Sequence, residues 1–347
     1  MDIQSAMLEV IIAVEKEIKA LFFENGFKTE KLGAFGDTFY SELDKYLTDG
    51  GKRVRPFLTK TAFDAVSGAD TEGNIFRAAL AIELLHNGSL LHDDVIDKDE
   101  TRRGKPSFHV VFRELYNKRK NDSQDKANDF GEAMSIFAGD ICFPYAIESI
   151  IQSGFPSELA LKALHAFSQG FKDVIDGVII ETGDTVEPNS TRANYDKMVY
   201  LKTGALIRKA VEIGAILGRG SDSQIKALTD YCIGIGKAFQ IQDDILGIFG
   251  DPDELGKPVG GDIRENKQTI LRIITMENAN EEQKQKLSSL MGKEEITDQE
   301  LEEIKKLFTD TGALKAAFDL IEQATDDAKN ALELASPPLK IEPKLKL

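Results

Sequence analysis

The sequence predicts an all-α protein, and three features of the chain support this class. Apolar residues recur at spacings of three and four along nearly every segment. Alternation with a period of two, which is typical of half-buried strands, is hard to find. The 347 residues are 41% hydrophobic and 29% charged, which is enough apolar material for a large core. We therefore expect a large helical bundle around a central cavity.

The longest helices can be placed from their apolar patterns and their end signals. Long helices are predicted over three segments: residues 74–97, 191–217 and 223–249. Near the end of the chain, Thr297 and Glu300 match a capping box, and Gly312 has the position of a helix stop. These signals predict a helix that begins near Thr297 and ends near Gly312.

Two stretches have the composition of loops. Residues 117–129, "NKRKNDSQDKAND", are poor in apolar side chains and are expected to be a mobile polar insertion. Residues 250–269, "GDPDELGKPVGGDIRENKQT", are rich in glycine and charge. No Pro/Ser-rich linker divides the chain, so one domain over residues 1–347 is expected.

Charge and cysteine content exclude several classes of protein. The formal net charge is -16, so no basic excess is present to neutralise a nucleic acid, and no nucleic-acid partner is expected. No uncharged apolar run reaches the ~18 residues of a membrane span, so no stable membrane insertion is expected. The N-terminus lacks the pattern of a signal peptide. The two cysteines are interpreted as buried thiols, which favours a cytoplasmic location.

The segment 89–109, "SLLHDDVIDKDETRRGKPSFH", joins an acidic cluster to a basic one at the end of a predicted helix. Asp93, Asp94 and Asp97 fall within one turn of that helix. Like charges this close repel one another, and a cation would relieve the repulsion. Magnesium suits such carboxylates, since it uses one or two of them together with waters and substrate phosphates. The alternative is a solvated helix end with no ligand.

A second acidic cluster favours a metal site over a solvated helix end. In "FQIQDDILGIFGD", Asp243 and Asp244 again follow an apolar helix, with Gln240 one turn upstream. Two such helices facing across a cavity would hold several divalent ions, and these would favour a diphosphate over a monoanion. Basic residues near glycines or element ends suit phosphate oxygens; they are Lys52, Arg53, Arg55, Arg102, Arg103, Lys202, Lys257 and Lys267. For any single lysine, a solvated surface role is the alternative.

With these pieces, the sequence resembles the trans-isoprenyl diphosphate synthases, also called polyprenyl synthetases. Five segments carry the resemblance in the family's order: "GGKRVRP", "ELLHNGSLLHDDVIDKDETRRGKP", "YLKTGAL", "FQIQDDILG" and "LGKPVGGDIRENKQT". The resemblance implies the type I isoprenoid synthase fold, a homodimer, and two substrates, isopentenyl diphosphate and an allylic prenyl diphosphate. The implied reaction ionises the allylic substrate, condenses it with isopentenyl diphosphate and eliminates a proton, giving an all-trans polyprenyl diphosphate.

The resemblance also implies roles for individual residues. It assigns about three Mg²⁺ ions to the aspartates of both clusters, Asp93, Asp94, Asp97, Asp243 and Asp244. It assigns isopentenyl diphosphate to Lys52, Arg55, His86 and Arg103. It assigns the allylic diphosphate to Arg102, Lys202, Lys257 and Lys267, with Lys202 also among the catalytic residues and Gln240 and Thr203 in support. One position departs from the family pattern: Gly247 stands where a third aspartate usually closes the second motif.

Product length is predicted from the helix before Asp93. In the family, a large aromatic residue near positions 88 and 89 stops short products, whereas this chain has Gly88 and Ser89, with Leu85 one turn further back. We expect products of about twenty to thirty-five carbons, because small side chains leave room for a longer ligand. The alternative is that Gly88 merely allows close helix packing.

Three other functions compete with this prediction. A class I terpene cyclase also uses an aspartate-rich helix and magnesium, but it would not need the set Lys52, Arg55 and His86. A non-catalytic subunit of a heteromeric prenyl synthase would tend to lose motif residues, and Gly247 is one such departure. A plain helical scaffold would show a heptad pattern, which the sequence lacks.

Overall fold

The structure is a computed structural model, and it describes most of the chain. The described residues are 3–24, 32–66, 73–120, 122–184, 186–187, 191–251, 259–340 and 344, without the side chains of residues 22–24. Lys257, one of the predicted diphosphate ligands, lies outside this set.

Helices account for nearly all regular structure in the described residues. Fourteen of them follow one another: α1 (Ile3–Glu24), α2 (Gly33–Thr48), α3 (Val54–Val66), α4 (Ile75–Ile96), α5 (Phe108–Arg119), α6 (Gln124–Ile151), α7 (Ser157–Gly183), α8 (Arg192–Leu217), α9 (Asp222–Phe249), α10 (Gly261–Arg264), α11 (Ile270–Asn278), α12 (Glu281–Leu290), α13 (Asp298–Asp310) and α14 (Ala313–Glu333). Two short strands, β1 (Thr101–Arg102) and β2 (Lys105–Pro106), form an antiparallel hairpin. The all-α prediction is confirmed.

Local end signals explain where the important helices begin and end. Asn74 caps α4 by accepting hydrogen bonds from the backbone N–H groups of Phe76 and Arg77. Asp97 ends the helix, and its N–H donates to the Asp93 carbonyl. The first acidic cluster therefore lies in the last turn of α4. The long helices α4, α8 and α9 agree with the predicted ranges to within one residue at each end, and the capping box at Thr297 is present.

Contacts group the chain into two compact units, where the sequence predicts one domain. The first unit consists of Met1–Ser168, Lys209–Ile225 and Leu339–Leu347, and the second of Gln169–Arg208 and Lys226–Pro338. Helices α7, α8 and α9 each contribute residues to both units. The single domain stays a prediction.

In the first unit, α4 packs against α6, and the two backbones approach closely at a pair of glycines. A Cβ added to Gly139 of α6 would lie 2.9 Å from the carbonyl oxygen of Gly88 on α4. Only a residue without a side chain allows this approach. Helices α1 and α3 also pack on α4, and α5 packs on α6. α4 is consequently the central helix of this unit.

The second unit has its own apolar core. Side chains from α8, α9 and α11 to α14 meet there; among them are Val199, Ile241, Ile245, Leu271, Leu287 and Phe308, all at most 4% exposed. Their burial removes a continuous apolar surface from water, which is the main favourable term in folding. The positions of Ile241 and Ile245 place one face of α9 inward and leave the opposite face for polar groups.

The expected mobile insertion at residues 117–129 is instead helical at both ends. α5 extends to Arg119, and α6 begins at Gln124, so only a short connection remains. Lysine, arginine and glutamine favour helix even where they bury nothing, and an ion pair between Asp122 and Lys126 spans the first turn of α6. A low apolar content therefore marks exposed helix ends here, and the prediction of a loop was wrong for most of the segment.

By length and composition, α6 is the one helix in the described residues that could cross a membrane. Its most apolar window has a mean hydropathy of 1.3, and 39% of that window is buried within the protein. The contacts of α6 with α4 and α5 account for this burial. A core helix of a soluble protein passes the same test.

Candidate active site

The three aspartates at the end of α4 differ in their surroundings. Asp94 is completely buried, whereas Asp93 is partly exposed and Asp97 is exposed. Arg102 donates from Nε to Asp94 Oδ1 over 2.6 Å. Burial raises the pKa of Asp94, and the contact with Arg102 opposes this rise. Asp93 and Asp97 are thus the carboxylates of this cluster that an incoming cation can reach.

The β1–β2 hairpin separates the two arginines that follow the cluster. Arg102 points to Asp94 and also donates to Asp99 Oδ2 over 3.2 Å. Arg103 lies in the turn with a φ of +53°, and its guanidinium donates to the carbonyl oxygen of Asp49 over 3.2 Å. The predicted pair therefore splits: Arg102 is bound to the acidic cluster, and Arg103 lies beside the glycine loop that precedes α3.

A group of cations surrounds His86, two turns before Asp93 on α4. Burial lowers the pKa of His86 well below its usual value, and the nearby charges of Arg55 and Arg103 lower it further. Burial also lowers the pKa of Arg55. Lys52 is exposed. A neutral histidine among arginines is suited to a ligand that brings its own negative charge.

In the second unit, Asp244 is held by three hydrogen bonds and is only 4% exposed. Its donors are the Tyr195 hydroxyl at 2.8 Å, the Ile270 N–H at 3.0 Å and Gln240 Nε2 at 3.0 Å. Burial raises the pKa of Asp244 to about 7, against the effect of these bonds. Asp243, by contrast, is exposed. The predicted metal ligands therefore divide within each motif into an accessible first aspartate and a buried second one.

Gln240 connects this buried carboxylate to α8. Its Oε1 accepts a hydrogen bond from Thr203 Oγ1 over 2.6 Å while its Nε2 donates to Asp244. Both amide atoms are thereby oriented. Thr203 and Gln240, which the sequence places 37 residues apart, act on the same carboxylate.

The two described lysines that the prediction assigns to the allylic diphosphate each pair with carboxylates. Lys202 forms an ion pair with Glu181 of α7. Lys267 lies 2.6 Å from Glu265 Oε2 and 3.7 Å from Asp262 Oδ1. Burial by itself would lower the pKa of Lys267, but the Asp262 and Glu265 carboxylates outweigh it and raise the pKa. Both ammonium groups are therefore oriented by neighbouring carboxylates.

The structure places the three predicted chain-length residues differently from one another. Leu85 is fully buried, and the Ser89 hydroxyl donates to its carbonyl over 3.0 Å. A Cβ at Gly88 would lie 3.0 Å from Phe143 Cε1 and 3.1 Å from the Gly139 carbonyl oxygen, so position 88 faces α6. This contact supports the close-packing interpretation of Gly88, because no open space lies beside it.

Sequence reasoning missed several residues that shape these sites. Tyr195 and Glu181 carry no motif signal, because each acts through a contact between distant segments. The sequence prediction gives no role to Asp262, although Asp262 lies in the segment "LGKPVGGDIRENKQT". The burial of Asp244 had a detectable signal. It shares the apolar face of α9 with Ile241, Ile245 and Ile248, whereas Asp243 does not.

The donor set fits magnesium better than a metal held by protein ligands alone. Within the described residues, no group of three or more His, Cys, Asp or Glu side chains is arranged to enclose an ion. Magnesium commonly takes only one or two carboxylates and completes its shell with waters and phosphates. In addition, Asp94 Oδ2 is buried without a hydrogen-bond partner in the described part of the chain, and a buried carboxylate oxygen normally has one.

Comparisons with known proteins place the chain in a family. Residues 37–308 match the sequence model of the family described as polyprenyl synthetase. The chain is 36% identical over 308 residues to a short chain isoprenyl diphosphate synthase of Methanothermobacter thermautotrophicus, covering 86% of this chain and 88% of that protein. It is 35% identical over 272 residues to a geranylfarnesyl diphosphate synthase of Aeropyrum pernix, covering 77% and 78%.

A solved structure extends the similarity to the fold. The geranylgeranyl pyrophosphate synthase of Corynebacterium glutamicum, complexed with isoprenyl diphosphate and magnesium, has a TM-score of 0.90 to this chain at 27% identity. The match covers 100% of this chain and 97% of that one. The family match spans most of the sequence, including both aspartate motifs, so this chain belongs to the polyprenyl synthetase family.

Proposed function

We propose that the protein is a magnesium-dependent trans-prenyltransferase that condenses isopentenyl diphosphate with an allylic diphosphate. The observation that carries this proposal is the pair of features along α4, an acidic cluster at its end and a basic cluster around His86. Accessible carboxylates, Asp93 and Asp97, end the helix, and the cations around His86 lie about two turns before them. One feature suits a diphosphate bound through metal, and the other suits a diphosphate bound directly.

Asp93, Asp97 and Asp243 would hold the magnesium ions, since they are the accessible carboxylates of the two motifs. Bound magnesium would neutralise the charge that develops on a departing diphosphate. Asp94 and Asp244 would serve the site indirectly. Asp94 orients Arg102, and Asp244 orients Gln240 and Tyr195.

Arg55, Arg103 and a neutral His86 would hold isopentenyl diphosphate, with Lys52 at the exposed side. Lys202 and Lys267 would contact the allylic diphosphate, whose C–O bond breaks to release diphosphate and leave an allylic cation. The double bond of isopentenyl diphosphate would then attack this cation to form the new C–C bond. A proton is then lost from the isopentenyl carbons, which restores an allylic double bond. No step requires a covalent intermediate with the protein.

We infer a product of about twenty to twenty-five carbons, the size of geranylgeranyl and geranylfarnesyl chains. We also infer a cytoplasmic homodimer. An exposed apolar stripe on α6 supports the dimer; it comprises Ile136, Phe137, Ile147 and Ile151, each at least 41% exposed. Light scattering during gel filtration measures the assembly, and a monomer would refute this part of the proposal.

The decisive experiment incubates the purified protein with magnesium, labelled isopentenyl diphosphate and allylic starters of increasing length. Chromatography of the dephosphorylated alcohols should show elongated products that disappear when a chelator removes magnesium. Diphosphate release from an allylic substrate alone, without elongation, would identify a cyclase instead. Absence of both reactions would identify a non-catalytic subunit.

A further inference from the structure

A chain of buried hydrogen bonds joins the loop before α3 to the β1–β2 hairpin by way of α4. Arg53 Nη1 donates to Glu83 Oε1 over 2.6 Å, and Asn87 Nδ2 donates to the same oxygen over 3.1 Å. Asn87 Oδ1 in turn accepts from Arg103 Nη2 over 3.3 Å. Of these four residues, only Arg103 has a role in the proposed reaction.

The guanidinium of Arg53 makes its contacts inside the protein. Its side chain is fully buried, and Nη2 donates to the Leu47 carbonyl oxygen over 2.5 Å. Its φ of +48° lies in the left-handed region, which is unfavourable for a residue other than glycine. The two charge-assisted bonds offset this cost and fix the backbone between Lys52 and Arg55. Arg53 is therefore unable to contact a ligand, although it belongs to the basic motif.

Glu83 is the anion that makes this cluster of arginines possible. Its side chain is 5% exposed and forms the ion pair with Arg53. It also stabilises the charge of Arg55, because it opposes the lowering of the Arg55 pKa by burial. Removing one partner of a buried ion pair leaves an uncompensated charge, so Glu83 has a large effect on the geometry around it.

Asn87 links Glu83 to Arg103 through hydrogen bonds to both residues. The amide is completely buried, and Nδ2 is fixed by the Glu83 carbonyl at 2.8 Å as well as by the Glu83 carboxylate. Because both bonds hold Nδ2, Oδ1 faces Arg103. The Asp49 carbonyl accepts from the other terminal nitrogen of Arg103, so the guanidinium is held at two points.

We propose that Glu83 and Asn87 are positioning residues for the diphosphate of isopentenyl diphosphate. Glu83 holds the loop that carries Lys52 and Arg55, and Asn87 orients Arg103. Both side chains are buried, so they act through these cations and do not touch the substrate. The inference rests on the proposed function, since it assigns the isopentenyl site to the cations around His86.

The test compares Glu83→Gln and Asn87→Ala with the wild-type enzyme. We expect the KM for isopentenyl diphosphate to rise about tenfold in each variant, because each variant removes a hydrogen bond to a charged group. The KM for the allylic substrate should stay within about twofold of the wild-type value, since neither residue touches the acidic cluster. A purely structural role would not separate the two constants.

A matched control is available in the ion pair that joins α4 to α1. Arg77, near the start of α4, is 4% exposed and lies 3.5 Å from Glu17 Oε2. Glu17→Gln should lower the melting temperature, because it removes the ion pair with Arg77. It should leave the KM for isopentenyl diphosphate unchanged. A tenfold rise in this control would show that any disturbance of α4 has the same effect, and it would overturn the assignment of Glu83 and Asn87.

Direct binding separates this inference from the proposed function. Calorimetry with isopentenyl diphosphate alone should show a Kd about tenfold higher for both variants than for the wild type. An unchanged Kd, or an equal rise in both KM values, would overturn the positioning role. If the wild type neither binds nor elongates isopentenyl diphosphate, the proposed function itself is wrong, and the positioning role falls with it.

Discussion

The carboxylate of Asp262 occupies the space beside Gly247. A Cβ added to Gly247 would lie 2.8 Å from Asp262 Oδ2, so a side chain at this position and the present Asp262 conformation exclude each other. Gly247 is the position where the family's second motif usually carries a third aspartate. The absence of that aspartate therefore coincides with the presence of a different carboxylate, supplied from α10.

Gly247→Asp should destabilise the protein by about 1–3 kcal/mol, because it adds both crowding and a like charge beside Asp262. Urea denaturation of the purified variant measures the free energy of unfolding. The matched double variant Gly247→Asp with Asp262→Gly should recover most of the loss. Equal stability of Gly247→Asp and wild type would show that Asp262 does not exclude a side chain at position 247.

The accessible and the buried aspartates of the first motif should respond differently when their charge is removed. Asp97→Asn should reduce the rate of elongation at least about 100-fold with little effect on stability, because this carboxylate is exposed and would bind magnesium. Asp94→Asn should lower the melting temperature, since it leaves Arg102 without its buried partner. Elongation assays and thermal denaturation of both variants check this contrast. Equal stability losses in both would contradict the division of the motif.

Ser89, rather than Gly88, is the position at which the prediction of product length can be tested. Gly88→Phe should unfold or badly destabilise the first unit, because even a Cβ there would be 3.1 Å from the Gly139 carbonyl. Ser89 is partly exposed, so Ser89→Phe should fold and shorten the longest product by at least one isoprene unit. Chromatography of the alcohols gives the lengths, with Ser89→Ala as the control that keeps them. Unchanged products in Ser89→Phe would place the end of the cavity elsewhere.

Acid should destabilise the protein partly through His86. The folded protein lowers the pKa of His86, so the unfolded chain binds a proton more readily than the folded one. This contribution to stability is complete above the unfolded pKa of about 6.5 and is lost as pH falls below it. The free energy of unfolding should therefore decrease from pH 7.5 to 5.5 more steeply in wild type than in His86→Gln. Parallel pH profiles would mean that His86 does not carry the effect.

The sequence by itself determined the helices and the chemical character of the sites. The bounds of α4 follow from local signals, since Asn74 supplies a cap and the apolar spacing persists to the acidic cluster. The two aspartate motifs and the basic motif predict diphosphate and magnesium chemistry, because carboxylates suit magnesium, clustered cations suit phosphate oxygens, and the motifs resemble those of the family. These features depend on local sequence or on composition, so they can be predicted without knowledge of the packing.

Only the tertiary structure decided which member of each motif is accessible. Asp94 and Asp244 are buried because their helix faces pack inward, and one of the donors to Asp244 is the hydroxyl of Tyr195, 49 residues away along the chain. The side of α4 on which Gly88 lies is decided by its contact with Gly139. Glu83, an unremarkable residue in an apolar run, becomes the anion of a cation cluster through contact with Arg53. These roles depend on which segments meet, and that is a property of packing rather than of spacing along the chain.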